Sequence, residues 1–106
     1  MAYKVHQIKD YQYSFDARIG GPGRLQLWGD LGRIADIGFV GEASAISAPV
    51  IAADLNSATV SFKRSALPDL IDMLRNESPV SVTINNQPPG FVFVHTGLEP
   101  VGEGES

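Results

Sequence analysis

Gln12-Tyr13-Ser14-Phe15-Asp16-Ala17-Arg18-Ile19-Gly20-Gly21-Pro22-Gly23-Arg24-Leu25-Gln26-Leu27-Trp28 is the stretch that decides the fold class. Tyr13, Phe15, Ala17 and Ile19 alternate with Gln12, Ser14, Asp16 and Arg18. That period of two marks a strand with one buried face. The Gly-Gly-Pro-Gly run then breaks the pattern, because glycine permits positive φ and proline fixes its own. From Arg24 the alternation resumes, with Leu25 and Leu27 on one face and Arg24, Gln26 and Trp28 on the other. The stretch predicts a β-hairpin. Tyr13 and Phe15 share the apolar phase and are expected in the core.

The rest of the chain extends this β pattern. Residues 3–9 read as an earlier strand, with Tyr3 and Val5 in phase, Ile8 out of phase and Lys9-Asp10 as its turn. Gly29-Asp30-Leu31-Gly32 is a second turn, followed by a strand around 33–40 in which Asp36 and Gly38 hint at a bulge or an edge. Residues 41–56 read as a long loop with one short strand or helical turn. Ala58, Val60 and Phe62 then alternate with polar partners. Leu67, Leu70, Ile71 and Leu74 fall at i, i+3, i+4 and i+7, so Ser65–Asn76 is predicted as the one helix. Ser65 is its expected N-cap, Pro68 sits in the first turn, and Asp69 and Arg75 suit the helix dipole. Val80, Val82 and Ile84 alternate again, Asn85–Gly90 turns, and Phe91-Val92-Phe93-Val94 reads as a central strand buried on both faces. The expected fold is mainly β (α+β). It is a small antiparallel barrel or sandwich of five to seven strands, with the helix at about 65–76 before the last hairpin. Residues 1–98 form one domain and 99–106 an acidic tail.

Composition supports a globular domain and removes several chemistries. The chain has 106 residues, 43% of them hydrophobic and 19% charged, enough apolar material for a core. It has no cysteine, which excludes disulfides, cysteine zinc sites, iron–sulfur clusters and thiol nucleophiles. No apolar run approaches the roughly 20 residues that span a bilayer. The N-terminal residues lack the apolar stretch of a secretory signal, so a cytoplasmic setting without membrane partners is expected. The net charge is −4. Three of the acids, Glu99, Glu103 and Glu105, belong to the tail, and setting them aside leaves nine acids against eight bases. A nearly neutral body offers no general field for phosphate backbones.

Few residues propose chemistry. His6 and His95 are the only imidazoles and lack metal-ligand spacing, so neither a metal nor a cofactor is expected. Gly20–Gly23 precedes a strand rather than a helix, and Pro22 lacks a backbone donor, so a hairpin turn is favoured over a phosphate cradle. No Gly-x-Ser-x-Gly elbow occurs, and no catalytic residue is assigned. The candidate binding residues are Trp28, on the more polar phase of its strand, with Arg24 and Arg18 nearby, and His95 at the end of the last strand. A surface tryptophan often marks an interface. The leading expectation is a non-enzymatic module that binds a protein partner or self-associates, through a sheet edge or a Trp28-centred patch. Two alternatives stand beside it. One is a small barrel that stacks single-stranded nucleic acid on its aromatics. The other is a small-ligand binder or enzyme using His95 with a carboxylate.

The segment Leu67-Pro68-Asp69-Leu70-Ile71-Asp72-Met73-Leu74-Arg75-Asn76-Glu77-Ser78-Pro79-Val80 and the tail Thr96-Gly97-Leu98-Glu99-Pro100-Val101-Gly102-Glu103-Gly104-Glu105 resemble a group of short bacterial proteins of unknown function. These share a helix ending in an Arg-Asn-Glu-x-Pro-Val-like stretch and a Thr-x-x-Glu-Pro-Val-Gly-Glu-like tail. The likeness covers about the last 40 residues. It implies a bacterial origin and no activity, and a recurring tail of this kind is a candidate docking element.

Overall fold

A computed structural model describes residues 2–15 and 23–97. The strands are β1 (Tyr3–Gln7), β2 (Asp10–Ser14), β3 (Arg24–Gly29), β4 (Gly32–Val40), β5 (Val50–Ile51), β6 (Ala58–Lys63), β7 (Val80–Asn85) and β8 (Phe91–Thr96). A 3-10 turn at Arg64–Ala66 leads into the helix α1 (Leu67–Asn76). The chain is therefore mainly β with one helix, and the eight described strands exceed the expected five to seven. They lie in two sheets, one ordered β1-β7-β8 and the other β2-β3-β4-β6-β5. The sheets do not close into a barrel. No helix among the described residues is long and apolar enough to cross a membrane.

The chain changes sheets twice, through α1 between β6 and β7 and, before that, at a tight corner between β1 and β2. Ile8 N–H donates to the Val80 carbonyl, continuing the β1–β7 ladder, while Lys9 N–H donates to the Trp28 carbonyl and starts pairing with β3. Lys9-Asp10 is thus a crossing point, and Asp10 already belongs to β2. The strand read over 12–19 is described only to Ser14, and the Gly20–Pro22 turn and Arg18 lie outside the described residues. The β2–β3 antiparallel pair itself is present, from Asp10↔Trp28 to Ser14↔Arg24. Gly23 permits the close approach there, since a Cβ on it would lie 2.5 Å from the Ser14 carbonyl oxygen.

Three expectations about the larger sheet are corrected. The strands are not all antiparallel: β4 and β6 pair in parallel, Ala35↔Ala58 through Val40↔Lys63. Residues 41–57 supply the crossover this needs, with β5 added as an antiparallel outer strand beyond β6. The irregularity in β4 is at Ile34, where the register jumps, and not at Asp36 or Gly38. That bulge lets the consecutive residues Ile34 and Ala35 both be buried. β4 is the middle strand, not an edge.

One apolar cluster joins both sheets and the helix. Leu25, Leu27, Ile37 and Phe39 of the larger sheet pack with Val82 and Ile84 of the smaller, and with Leu70 of α1. Leu67, Ile71 and Leu74 complete the predicted helical stripe against it. Tyr13 reaches the cluster from the edge strand β2, but Phe15 does not: it is 73% exposed, with its ring edge against Tyr13. Phe15 lies just past the end of β2.

The helix begins differently from its sequence reading. Its N-cap is Ala66, which makes no side-chain cap bond. Ser65 instead donates its backbone N–H and its hydroxyl to the Glu42 carboxylate, at 2.8 and 2.9 Å. The Ser65 amide, in the 3-10 turn that leads into the helix, thus finds its acceptor on a loop distant in sequence. Lys63 ties down the same loop by donating to the Glu42 and Ser44 carbonyls. The Ser65 amide and hydroxyl, with Lys63 and Arg64 adding to them, hold the Glu42 carboxyl below its ordinary pKa.

Candidate functional site

β8 overturns the reading of Phe91-Val92-Phe93-Val94 as a strand buried on both faces. It lies at the edge of the smaller sheet, beside β7. Val92 and Val94 pack on the core, while Phe91 and Phe93 point outward at 41% and 56% exposure. β1, at the other edge, is inverted in polarity. Its outward residues include Tyr3 and Val5, at 64% and 55% exposure, whereas Lys4 and His6 lie on the inner phase. His6 Nε2 is engaged at 2.9 Å by the Leu55 carbonyl and Lys4 donates to Asn56, which accommodates polar groups on that phase.

Register converts these facts into a surface. Across β1, β7 and β8 the outward rows are Tyr3–Asn85–Phe91, Val5–Thr83–Phe93 and Gln7–Ser81–His95. The Phe91 and Phe93 rings lie parallel, 6.1 Å between centroids and 4° apart in plane. Lys, Arg, Asp and Glu are absent from the nine positions. The outward side of the larger sheet is different in kind. It carries Asp10, Gln12 and Ser14 on β2, Arg24, Gln26 and Trp28 on β3, and Arg33 and Asp36 on β4.

The candidate residues named from sequence fall on both faces. Arg24 is exposed and its Nε lies 3.0 Å from Asp36 Oδ1, an ion pair across the sheet. That buried oxygen makes no aligned hydrogen bond, so the pair is held by proximity of charge more than by direction. Trp28 is half-buried, between Asp10 and Arg33 in register, at the corner where the chain changes sheets. His95 is half-buried on the other sheet. Its Nδ1 faces the Thr96 carbonyl at 2.9 Å and its Nε2 faces Thr83 Oγ1 at 2.8 Å. A carbonyl only accepts, so Nδ1 carries the hydrogen, and Nε2 shares a hydrogen bond with the Thr83 hydroxyl. The structure therefore does not bring Trp28, Arg24 and His95 into one site.

This geometry limits the chemistry. A hydroxyl bonded to an imidazole is the first half of a nucleophile–base arrangement. A working site also needs an enclosed position with donors for developing charge. Thr83 and His95 instead lie on an open sheet face, and no described carboxylate is bonded to His95. Three surface clefts have volumes of about 200 to 270 Å³, and His95 lines none of these three. No three His, Asp or Glu side chains cluster as a metal site would among the described residues.

The sequence reading missed Tyr3, Val5, Phe91 and Phe93 as surface residues. The signal was present in the neighbouring strand. Val80, Val82 and Ile84 assign the inner phase of β7, and antiparallel pairing with β8 then sends Phe91 and Phe93 outward. The chain matches no protein-family model, no curated protein and no solved structure.

Proposed function

We propose that the protein is a non-enzymatic interaction module whose docking surface is the outward face of β1, β7 and β8. The observation that carries this is the exposure of Tyr3, Val5, Phe91 and Phe93 together on one uncharged sheet face. Tyr3 and Val5 on β1 and Phe91 and Phe93 on β8 flank the polar, uncharged Asn85 and Thr83 of β7, and large apolar side chains collected on one face, unlike scattered ones, mark interaction sites. Aromatic residues supply large contact area at little entropic cost, which suits them to this role. The same observation moves the docking surface away from Trp28. In this reading the two sheets stack as an open sandwich, with the smaller one presenting the face.

Exposed aromatics on a sheet also serve as stacking platforms for nucleic-acid bases. Such platforms need cations to follow the phosphates, and the nine outward positions supply no lysine or arginine. A protein surface is the better fit.

The test is a photo-crosslinker, p-benzoylphenylalanine, placed at Phe93 or at Trp28 in cells expressing the full chain. The reading expects protein adducts from position 93 and none, or far fewer, from position 28. Adducts from position 28 alone would overturn it. So would oligonucleotide binding to the purified chain that salt weakens and Phe93→Ser abolishes.

A further inference from the structure

We infer that the outer edge of β8 accepts an added strand, an extended segment of a partner protein that pairs with Val92, Val94 and Thr96 through its backbone. The inference rests on the docking reading above and names how the partner is held.

This edge is undefended. Proteins guard sheet edges with charge, proline, bulges, shortness or cover, because an edge strand presents unpaired N–H and C=O groups. The two sheets have four edges. β5 is two residues long. β2 begins at the charged pair Lys9-Asp10. β1 carries Lys4, and its Gln7 carbonyl lies against the β3–β4 turn, where a Cβ on Gly29 would stand 2.7 Å from it. β8 has none of these guards. It runs six residues without Lys, Arg, Asp, Glu or Pro. It holds an unbroken register with β7 from Asn85↔Phe91 to Val80↔Thr96, and no other described element runs alongside it.

The hydrogen-bond pattern says which groups are on offer. The Val80 carbonyl accepts from Ile8 and so faces β1. Backbone groups alternate sides along a strand, so Ser81, Thr83 and Asn85 face β8 and bond their partners His95, Phe93 and Phe91. Val92, Val94 and Thr96 therefore direct their N–H and C=O to the open edge. His95 Nδ1 already holds the Thr96 carbonyl. A separate strand can meet all the remaining groups. A second copy of β8 meets fewer, because directly opposed residues must share a face and a twofold axis passes through Phe93 or Val94. Through Phe93, the Thr96 N–H lies beyond the other copy's strand. Through Val94, the Val92 N–H lies opposite the occupied Thr96 carbonyl.

Side chains set the chemistry of the segment, since a neighbour on the open side shares both faces of β8. Val92 and Val94 stand on the inner face, and Ile51 of β5 borders the head of the strand, its Cδ1 3.0 Å from where a Cβ on Gly90 would lie. Phe91 and Phe93 stand on the outer face. β7 shows a sequence that suits both, with Val80, Val82 and Ile84 inside and Ser81, Thr83 and Asn85 outside. The occupant is an extended segment with β-branched apolar residues at alternate positions and uncharged ones between.

The probe is a peptide of the β7 sequence, Val80–Asn85, with a lysine at each end for solubility, titrated into the purified full chain. Amide hydrogen exchange followed by NMR reads the edge one residue at a time. In the free chain Phe93 and His95 are expected to exchange slowly and Val92, Val94 and Thr96 fast, and the peptide is expected to slow those three. Methylating alternate peptide amides should weaken binding about tenfold or more for the set that faces β8 and little for the other set. That contrast leaves the chain itself unchanged. Phe91→Lys puts a guard on the edge and should weaken the peptide, whereas Gln12→Lys on β2 should not. No slowing at Val92, Val94 and Thr96, or equal effects of the two methylated peptides, overturns the inference. So does slowing without peptide that grows with the chain's own concentration, which makes the occupant a second copy. Protein adducts from position 93 beside any of these results remove strand addition and leave the docking reading standing. Without such adducts both fall.

Discussion

In the larger sheet the outward residues of β2, β3 and β4 are Asp10, Gln12, Ser14, Arg24, Gln26, Trp28, Arg33 and Asp36, whereas in the smaller one the same phase includes Tyr3, Val5, Phe91 and Phe93. Both sheets obey one rule on the inside, apolar residues on alternate positions packed into a shared cluster. They break company outside. A sheet that faces water on one side should be polar there. The larger sheet is mostly so, with Val50 and Trp28 as its outward apolar residues and a cross-strand ion pair between Arg24 and Asp36. The smaller sheet leaves unburied side chains each worth about 1.5–3 kcal/mol when fully removed from water. β1 sharpens the point, because it turns Tyr3 and Val5 outward and sets Lys4 and His6 on the inner phase. Solubility does not call for that choice, which is why the proposed docking surface is placed there.

The comparison is strongest where the two sheets should agree. Ile84→Ala in the smaller sheet and Leu25→Ala in the larger each remove a fully buried side chain from one cluster. Each should cost about 2–5 kcal/mol in a denaturant melt of the chain. A cost under about 1 kcal/mol for Ile84→Ala alone would mean that the smaller sheet is not part of the core, and the contrast between faces would lose its footing.

Outside the core the sheets should differ from their insides. Phe93→Ser removes an aromatic that is more than half exposed. Its stability loss should stay under about 1 kcal/mol, as for other surface changes. A loss like that of Ile84→Ala would put Phe93 in the core and break the comparison. Thr83→Val is a finer probe of the same face. It removes the hydroxyl bonded to His95 Nε2, leaving a half-buried ring nitrogen unpaired, at about 1 kcal/mol. The nitrogen chemical shifts of the His95 ring should move with it. Unchanged shifts would mean that the pair is not formed.

The smallest effect concerns the loop that caps α1. Hydrogen bonds from Ser65 hold the Glu42 carboxyl below its ordinary value of 4.5. A carboxylate depressed on folding stabilises the native state above its unfolded pKa and loses that contribution as pH falls through the folded pKa. Acid should therefore release the loop from Ser65 only below the ordinary carboxylate range. The Ser65 amide resonance should report this with a downward-shifted midpoint, and Glu42→Gln should flatten the titration. A midpoint at or above 4.5 would contradict the capping geometry.

What could be read from the sequence was whatever lay in one local period. The alternation at 24–28 and 80–84 and the helical stripe of Leu67, Leu70, Ile71 and Leu74 assigned inner faces that the shared cluster contains. The misses each need information beyond a local window. The parallel pairing of β4 with β6 depends on a crossover, and periodicity does not distinguish parallel from antiparallel neighbours. Ser65 looks like a cap until Glu42, remote in sequence, takes its hydrogens. Phe91-Val92-Phe93-Val94 is apolar on both phases, which reads as two-sided burial. The same composition also describes an edge strand with one face on the core and one awaiting a partner. Tyr3 and Val5 were visibly in phase, but phase alone does not say which side is inside. The exposed face of the smaller sheet went unread because it is made of residues whose ordinary place is the core. Trp28 drew attention because it is the one aromatic on a plainly polar phase.

The most direct test sets those two surfaces against each other. Photo-crosslinking from position 93 and from position 28 in cells expressing the full chain asks which face meets a protein. The account predicts protein adducts from position 93 and far fewer from position 28. Adducts from position 28 alone would contradict it.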